Sequence, residues 1–242
     1  MGANKQAIKI IGDKTDMFAQ GYFAYDSKKS GGVTLSHLRF GAQPIKSPYL
    51  VAKADFISCS QQSYVDKYDL LAGLKPGGVF LLNTTWTAAE LDAHLPAAMK
   101  QTLQRNRIEF YTINAVAIAQ ELGMGSHFNV IMQAAFFELT RIIPVDKAIQ
   151  YLKDSVVASY GHKGGNVVEV NHAAIDRGAK AMVRFEVPAS WATASGPCAP
   201  TAAACSSPSA VVSTGRGQLV NNPFSRSMSM MSACLVIAQN GR

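Results

Sequence analysis

Long apolar runs, closely spaced cysteines and acidic residues near the carboxyl end are what this 242-residue sequence lacks. No run of eighteen apolar residues occurs, so no membrane-spanning helix is predicted and no membrane partner is expected. The four cysteines (Cys59, Cys198, Cys205 and Cys234) are too few and too scattered for a disulfide scaffold. Cys198 and Cys205 fit neither a zinc finger nor an iron–sulfur spacing, so no metal site is expected on this chain. Met1-Gly2-Ala3-Asn4-Lys5 leads into an amphipathic segment without an apolar core of the kind a secretory leader needs. Gln6 breaks the myristoylation pattern that Gly2 begins. There is no basic stripe with interleaved aromatics, so nucleic acid is not an expected partner.

What is present describes a packed domain with an appendage. Hydrophobic residues make up 48% and charged residues 16%, a balance suited to a buried core. A chain this long accommodates one or two domains. The formal net charge of +7 is unevenly placed: all sixteen acidic residues and twenty of the twenty-three basic ones precede Ser190. That part therefore carries only +4, and Arg216, Arg226 and Arg242 supply the rest from an acid-free tail. A weak positive field of this kind favours an anionic ligand or an acidic partner.

In chain order, the spacing of Ala7, Ile8 and Ile11 predicts a helix from Asn4 to Ile11 that ends at Gly12. Tyr22-Phe23-Ala24-Tyr25 reads as a strand, and Val33 to Phe40 as its partner across a turn, with Val33, Leu35 and His37 on one face. Ala54–Cys59 reads as a buried strand with a buried Cys59 thiol, and Tyr64–Leu71 as a short helix closed by Gly73. Lys75-Pro76-Gly77-Gly78 is a turn signal ahead of Val79-Phe80-Leu81-Leu82, whose unbroken apolar character suits a central parallel strand. Thr87 and Glu90 form a capping-box pattern for a helix reaching toward Arg107, which Pro96 must kink or split. Ile108–Ile113 is the next strand, and Asn114 the N-cap of a helix over Ala115–Leu122 that Gly123-Met124-Gly125 ends. Ser126 is expected to cap a long apolar helix from Phe128 to Ile143, in which Asn129 and Gln133 need hydrogen-bond partners. Pro144 opens a helix through Tyr160, and a final helical stretch runs from Asn171 to Phe185.

Alternation of strands and helices predicts an α/β, three-layer domain with a mostly parallel sheet. Ligands of such sheets collect outside the carboxyl ends of the strands. Three loops qualify: Asp26 to Gly32, Asn83-Thr84-Thr85, and the turn at Asn114. In the first, Lys28, Lys29 and Ser30 stand beside Gly31 and Gly32, a combination suited to phosphate because backbone N–H groups and ammonium groups both face an anion. The same residues equally suit a solvated hairpin tip. His37, His94, His127, His162 and His172 are scattered and read as structural, and no nucleophile–base pair stands out. From Ala192 onward, Ala, Ser, Pro and Thr dominate, and residues 192–242 are expected to be a disordered or non-native reading-frame tail. Residues 1–191 form the domain proper.

The stretch from Gln20 to Gly41, with Asn4-Lys5-Gln6-Ala7-Ile8-Lys9-Ile10-Ile11-Gly12-Asp13 ahead of it, closely resembles pyruvate:ferredoxin oxidoreductase (pyruvate synthase), in its gamma-subunit-like domain III. The resemblance runs from Gly2 to about Trp191. It implies a fragment: the family's first strand and a Gly-Ser-Asp-Gly-Thr loop precede the helix and are missing here, so Gly2, Asn4 and Lys5 are the surviving half of an anion-attracting helix entrance. It further implies coenzyme A contacts at Gly2, Asn4, Lys5, Lys28, Lys29, Ser30, Arg39 and Asn83, and no catalytic residue. Thiamine diphosphate and iron–sulfur clusters would belong to other segments of the whole enzyme, which converts pyruvate to acetyl-CoA and passes electrons to ferredoxin. This chain alone is then expected to be catalytically silent. Its partners would be the other domains or subunits of an oligomeric enzyme, in the cytoplasm or a reducing energy organelle. The competing reading is a purely structural interface domain with no ligand of its own. An independent nucleotide-binding protein is argued against by the absent amino-terminal glycine loop.

Overall fold

The computed structural model describes residues 2–25, 34–46, 50–163, 165–195, 210–214 and 233–240. The first helix, α1 (Gly2–Lys14), buries Ala7, Ile8, Ile10 and Ile11 and runs past Gly12 for a further half turn. It leads into a hairpin of β1 (Phe18–Tyr25) and β2 (Thr34–Gly41), paired antiparallel from Phe18↔Gly41 to Tyr25↔Thr34. The connecting residues 26–33, where Lys28, Lys29 and Ser30 stand, lie outside the described residues. Side chains alternate along β1. Ala19, Gly21 and Phe23 share the face that α1 covers, and Gly21 meets Ile8 there.

Next come β3 (Ala54–Cys59), β4 (Leu74–Asn83) and β5 (Glu109–Ile113), which form a contiguous parallel block. The turn signal at Lys75–Gly78 does not precede β4 but interrupts it: Ala54 pairs with Leu74 and Phe56 with Val79, so the four residues loop out of the ladder. Gly77 adopts φ 72 there, a left-handed conformation that glycine tolerates. Leu81 points into one core with Phe56, while Phe80 and Leu82 point into the other with Ile57 and Phe110, as expected for a strand buried on both faces.

Helices α2 (Ala88–His94) and α3 (Ala97–Arg105) are the two halves of the segment that Pro96 splits, and the capping box at Thr87 and Glu90 is complete. Asn114 caps α4 (Ala115–Glu121) by accepting from the Ala117 N–H at 3.0 Å. Then follow α5 (Asn129–Thr140), α6 (Val145–Tyr160) and α7 (Gly165–Gly178). Helices α1, α5, α6 and α7 enclose the core on one face of the sheet, while α2, α3 and the Trp191 turn enclose the other. The result is a three-layer α/β domain. No helix among the described residues is long and apolar enough to cross a membrane.

Four sequence expectations are corrected in detail. Tyr64–Leu71 is not a helix but follows a 3-10 turn (Gln62–Tyr64) with further turns; Tyr64, Val65, Leu70 and Leu71 are apolar because they are buried in the core, not because they share a helical face. Ser126 does not cap α5, because its carbonyl accepts from the Phe128 N–H inside a preceding turn and the helix begins three residues later. That helix stops at Thr140 rather than Ile143, since Arg141 takes a left-handed conformation at φ 46. The last helix starts earlier and ends at Gly178, where a Cβ would lie 2.7 Å from the Ile131 carbonyl oxygen; Val183–Phe185 instead forms β6, antiparallel to β5.

Within the acid-free segment from 192 onward, Ala210–Thr214 forms β7 and Ala233–Asn240 forms β8. The sheet order is β6-β5-β4-β3-β8-β2-β1-β7. Because β8 is parallel to β2 and antiparallel to β3, and β1 is antiparallel to β2, strands β1, β3, β4 and β5 all run the same way. Their carboxyl ends share one edge of the sheet.

Candidate functional site

That edge gathers Gly2, Asn4, Lys5 and Asn83 among the described candidate residues. Helix α1 is followed by β1 and packs along it, so its amino terminus, with Gly2, Asn4 and Lys5, lies at the edge where β1 finishes at Tyr25. Lys5 is exposed, with its Nζ 5.8 Å from the centre of the buried Phe23 ring, while Asn4 is buried. The first turn of α1 contains no acidic side chain, so nothing there opposes an anion. Tyr25 and Thr34, between which residues 26–33 with Lys28, Lys29 and Ser30 lie in sequence, are at the same edge.

Asn83 ends β4 beside this region, but its amide is occupied at both ends. Its Oδ1 accepts from the Ala115 N–H at 2.9 Å, and its Nδ2 donates to the Ser60 carbonyl at 3.1 Å. Asn83 thus ties the end of β3 and the start of α4 to β4. Thr84 extends the tie: its N–H donates to the Ile113 carbonyl at 2.9 Å and its hydroxyl to Gln62 Oε1 at 2.8 Å. Gln62 Oε1 also accepts from the Thr85 N–H at 3.0 Å. The loops at Asn83 and Asn114 therefore do converge, held by side-chain to backbone bonds. Sequence reasoning missed Gln62 and Ser60; the polar run Ser60-Gln61-Gln62-Ser63 directly after an apolar strand was the available signal.

Arg39 is not brought together with the others. It pairs with Gln20 toward the opposite end of the hairpin, where its guanidinium donates to Gln20 Oε1 at 3.1 Å and to the Leu50 carbonyl at 3.0 Å. Partial burial lowers its pKa. Its neighbour His37 is buried on the strand face away from α1, 6.2 Å from the Tyr22 ring, and its Nδ1 accepts from the Val51 N–H at 3.3 Å. Burial above all, and then the Arg39 charge, push His37 from 6.5 to about 4, so it is a neutral structural imidazole near pH 7. The Cys59 thiol is likewise inert: burial raises it to about 12, and its Sγ donates to the Gln61 carbonyl at 3.2 Å. Among the described residues no group of three or more His, Cys, Asp or Glu side chains stands close enough to hold a metal ion.

This arrangement can orient an anion against a helix terminus and the Lys5 ammonium. It assembles no acid–base pair among the described residues.

Comparison with known proteins gives the setting. The family model for pyruvate ferredoxin/flavodoxin oxidoreductase matches residues 1–181. A pyruvate-flavodoxin oxidoreductase of Enterobacter agglomerans is 64% identical over 191 residues, covering 79% of this chain and 16% of that protein. A pyruvate:ferredoxin oxidoreductase of Moorella thermoacetica is 60% identical over 194 residues, covering 80% of this chain and 17% of that protein. This chain thus spans about a sixth of the length of these relatives. Among solved structures, pyruvate oxidoreductase subunit PORC of Thermotoga maritima shares the fold at TM-score 0.56 and 14% identity, over 76% of this chain and 90% of that one. The gamma subunit of a keto/oxoacid ferredoxin oxidoreductase from Geobacter sulfurreducens does so at TM-score 0.52 and 17% identity, over 74% and 88%. With three quarters of its length matched and identities of 60% or more, the chain belongs to the pyruvate ferredoxin/flavodoxin oxidoreductase family.

Proposed function

We propose that this chain is one part of an enzyme that oxidatively decarboxylates pyruvate to acetyl-CoA and passes the electrons to ferredoxin or flavodoxin, and that its share is to hold coenzyme A and to pack against the other domains or subunits. Pyruvate and the ferredoxin or flavodoxin acceptor follow the names of the relatives, and decarboxylation to acetyl-CoA follows the family resemblance. The observation that supports the coenzyme A role is the shared edge: the amino terminus of α1, exposed Lys5 and the hairpin end leading to Lys28, Lys29 and Ser30 lie together, with no acidic side chain in the helix's first turn. Coenzyme A supplies the thiol that receives the acetyl group. The residues here would meet its phosphates through Lys5, Lys28, Lys29, Ser30 and the first N–H groups of α1 near Gly2 and Asn4.

Arg39 and Asn83 leave the contact set in this reading. The first is engaged at the far end of the hairpin, and the second is spent on Ser60 and Ala115. Thiamine diphosphate and the iron–sulfur clusters are assigned to the remaining five sixths of the enzyme, so the isolated chain turns over no 2-oxoacid. Its setting is an oligomeric complex in the cytoplasm or a reducing energy organelle.

A purely structural role is the second reading. It is favoured by the inward direction of the Asn83, Thr84 and Gln62 hydrogen bonds, which leave little of that loop for a ligand. Coenzyme A affinity of the complete enzyme separates the two. Charge-assisted bonds contribute ~1.5–3 kcal/mol each, so Lys28→Ala/Lys29→Ala and Lys5→Ala should each weaken binding at least about tenfold. Unchanged affinity in both variants would leave the structural role.

A further inference from the structure

Helix α1 is held from two sides by different kinds of contact. On the sheet side, Ile8 sits over Gly21 and joins Ile11, Phe23 and Leu38 in one core. Position 6 lies roughly 200° away from position 8 around the helix. From there Gln6 reaches two neighbouring helices: its Nε2 donates to the Ser155 hydroxyl of α6, and its Oε1 accepts from Gln133 Nε2 of α5 at 3.4 Å. The Ser155 hydroxyl in turn donates to the Leu152 carbonyl of its own helix at 2.7 Å, which leaves its oxygen as the acceptor for Gln6. Gln133 is buried, and Gln6 and Ser155 are half-buried, so water competes little for these bonds.

The two kinds of contact restrain different motions. Apolar packing is non-directional and lets packed helices slide past one another by small steps. A side-chain amide held at both ends by partners on two separate helices resists sliding along the axis and rotation about it. Gln6 follows Lys5 directly and lies one turn from Gly2. It therefore fixes α1 close to the end whose N–H groups and Lys5 ammonium face the carboxyl edge of the sheet. Its amide is engaged by Ser155 and Gln133, so its part is to hold the helix rather than to touch an anion.

We propose that Gln6 is a positioning residue for coenzyme A, an inference that rests on the coenzyme A reading given above. Through Ser155 and Gln133 it sets the axial placement of α1, and so the distance from the Lys5 ammonium and the first N–H groups to the phosphate they meet. Charge-assisted hydrogen bonds need short, aligned contacts. A misplacement of about 1 Å, introduced far from the chemistry, costs up to ~100-fold in catalysis.

Steady-state kinetics of the complete enzyme tests this. Gln6→Met keeps the length of the side chain and removes both bonds. Ser155→Ala removes the bond to α6 alone, and Ser155→Thr keeps the hydroxyl. Gln6→Met and Ser155→Ala should each raise the KM for coenzyme A at least about threefold, with kcat and the KM for pyruvate within about twofold of the unaltered enzyme. Ser155→Thr should restore the coenzyme A KM. A fall in kcat, a matching rise in the pyruvate KM, or equal coenzyme A KM values in the Ala and Thr variants would overturn the positioning role. Lys5→Ala, measured alongside, separates this inference from the reading beneath it. A raised coenzyme A KM in Lys5→Ala with no change in Gln6→Met and Ser155→Ala overturns the positioning role alone. No change in any of the three overturns the coenzyme A reading and the positioning role with it. Should Gln6→Met fail to fold, the Ser155 pair decides.

Discussion

Gly21 of β1 lies so close under Ile8 of α1 that a Cβ at position 21 would collide with the Ile8 Cδ1, with Leu38 Cδ2 and Phe23 Cε2 each 3.4 Å away. The helix carrying Asn4 and Lys5 is seated on the strand through this absence of a side chain. Gly21→Ala is expected to lower stability by ~1–3 kcal/mol through overpacking. Ile8→Val removes the obstructing methyl at a cost of its own of ~0.5–1.5 kcal/mol. The double variant should then be more stable than the sum of the two losses predicts. Denaturant unfolding of the four proteins checks this, and simple additivity would mean that the collision is relieved elsewhere.

Asn83 offers a contrast with Lys5. Truncation of Asn83 leaves the Ser60 carbonyl and the Ala115 N–H without their partner, at ~1–3 kcal/mol for a buried polar group. Asn83→Ala should therefore lower the melting temperature of the complete enzyme's domain while leaving coenzyme A affinity within about twofold. Lys5→Ala should do the reverse, since the exposed ammonium contributes little to folding. A variant pair in which both properties move together would contradict this division between shaping the edge and touching the ligand.

The parts of the fold that could be read from the sequence were those in which local chemistry and tertiary packing agree. Pro96 split its helix because no N–H is available to continue it, and the Thr87–Glu90 box closed because both partners are local. Asn114 was readable as a cap for the same reason. The turns after Tyr64 imitate a helix in the sequence because Tyr64, Val65, Leu70 and Leu71 are apolar for burial against the sheet, at a spacing that resembles a helical face. Val183–Phe185 reads as helix in the sequence because its strand character depends on β5, more than seventy residues earlier in the chain. Of the candidate site, Lys5 and the edge position were foreseeable from helix and strand ends. That Asn83 would turn inward and Arg39 would sit at the far end of its strand depended on pairings the sequence does not display.

His37 should make the domain acid-sensitive in a defined window. Its folded pKa, about 4, lies below the ordinary 6.5, so above pH 6.5 the imidazole is neutral in both states and costs nothing. As pH falls from 6.5 toward 4, the unfolded chain takes up a proton that the folded chain refuses. Stability therefore declines by up to ~1.4 kcal/mol per pH unit, or roughly 3 kcal/mol across the window. Arg39 opposes the protonated form from the same strand face, and the Val51 N–H occupies Nδ1. His37→Gln, which keeps an acceptor for Val51, should flatten the decline between pH 6.5 and 4. An unchanged slope in urea titrations across this range would assign the acid sensitivity to other groups.

Trp191 closes the face of the sheet opposite α1, and its loss should be the most damaging single change near the end of the matched region. The side chain is 2% exposed and stacks on Phe185 at 5.2 Å between ring centres. Its Nε1 donates to Asp92 Oδ1 at 2.6 Å, an oxygen that Lys100 Nζ also approaches at 3.1 Å. Lys100 in turn lies 5.5 Å from the indole centre, and the Gln101 amide donates to the Ala194 carbonyl at 2.8 Å. Bonds from Lys100 and then Trp191 hold the Asp92 carboxyl below its usual range. Most of the energy nonetheless lies in the buried ring, because Asp92 is solvated and its ion pair is screened. Trp191→Ala should thus cost ~3–5 kcal/mol, the value expected for emptying a buried aromatic site. Trp191→Phe keeps the stack on Phe185 and should retain most of the stability, and Asp92→Asn should change less still. Thermal unfolding of the three variants orders them, and an Asp92→Asn loss equal to that of Trp191→Ala would shift the weight from the ring to the charge.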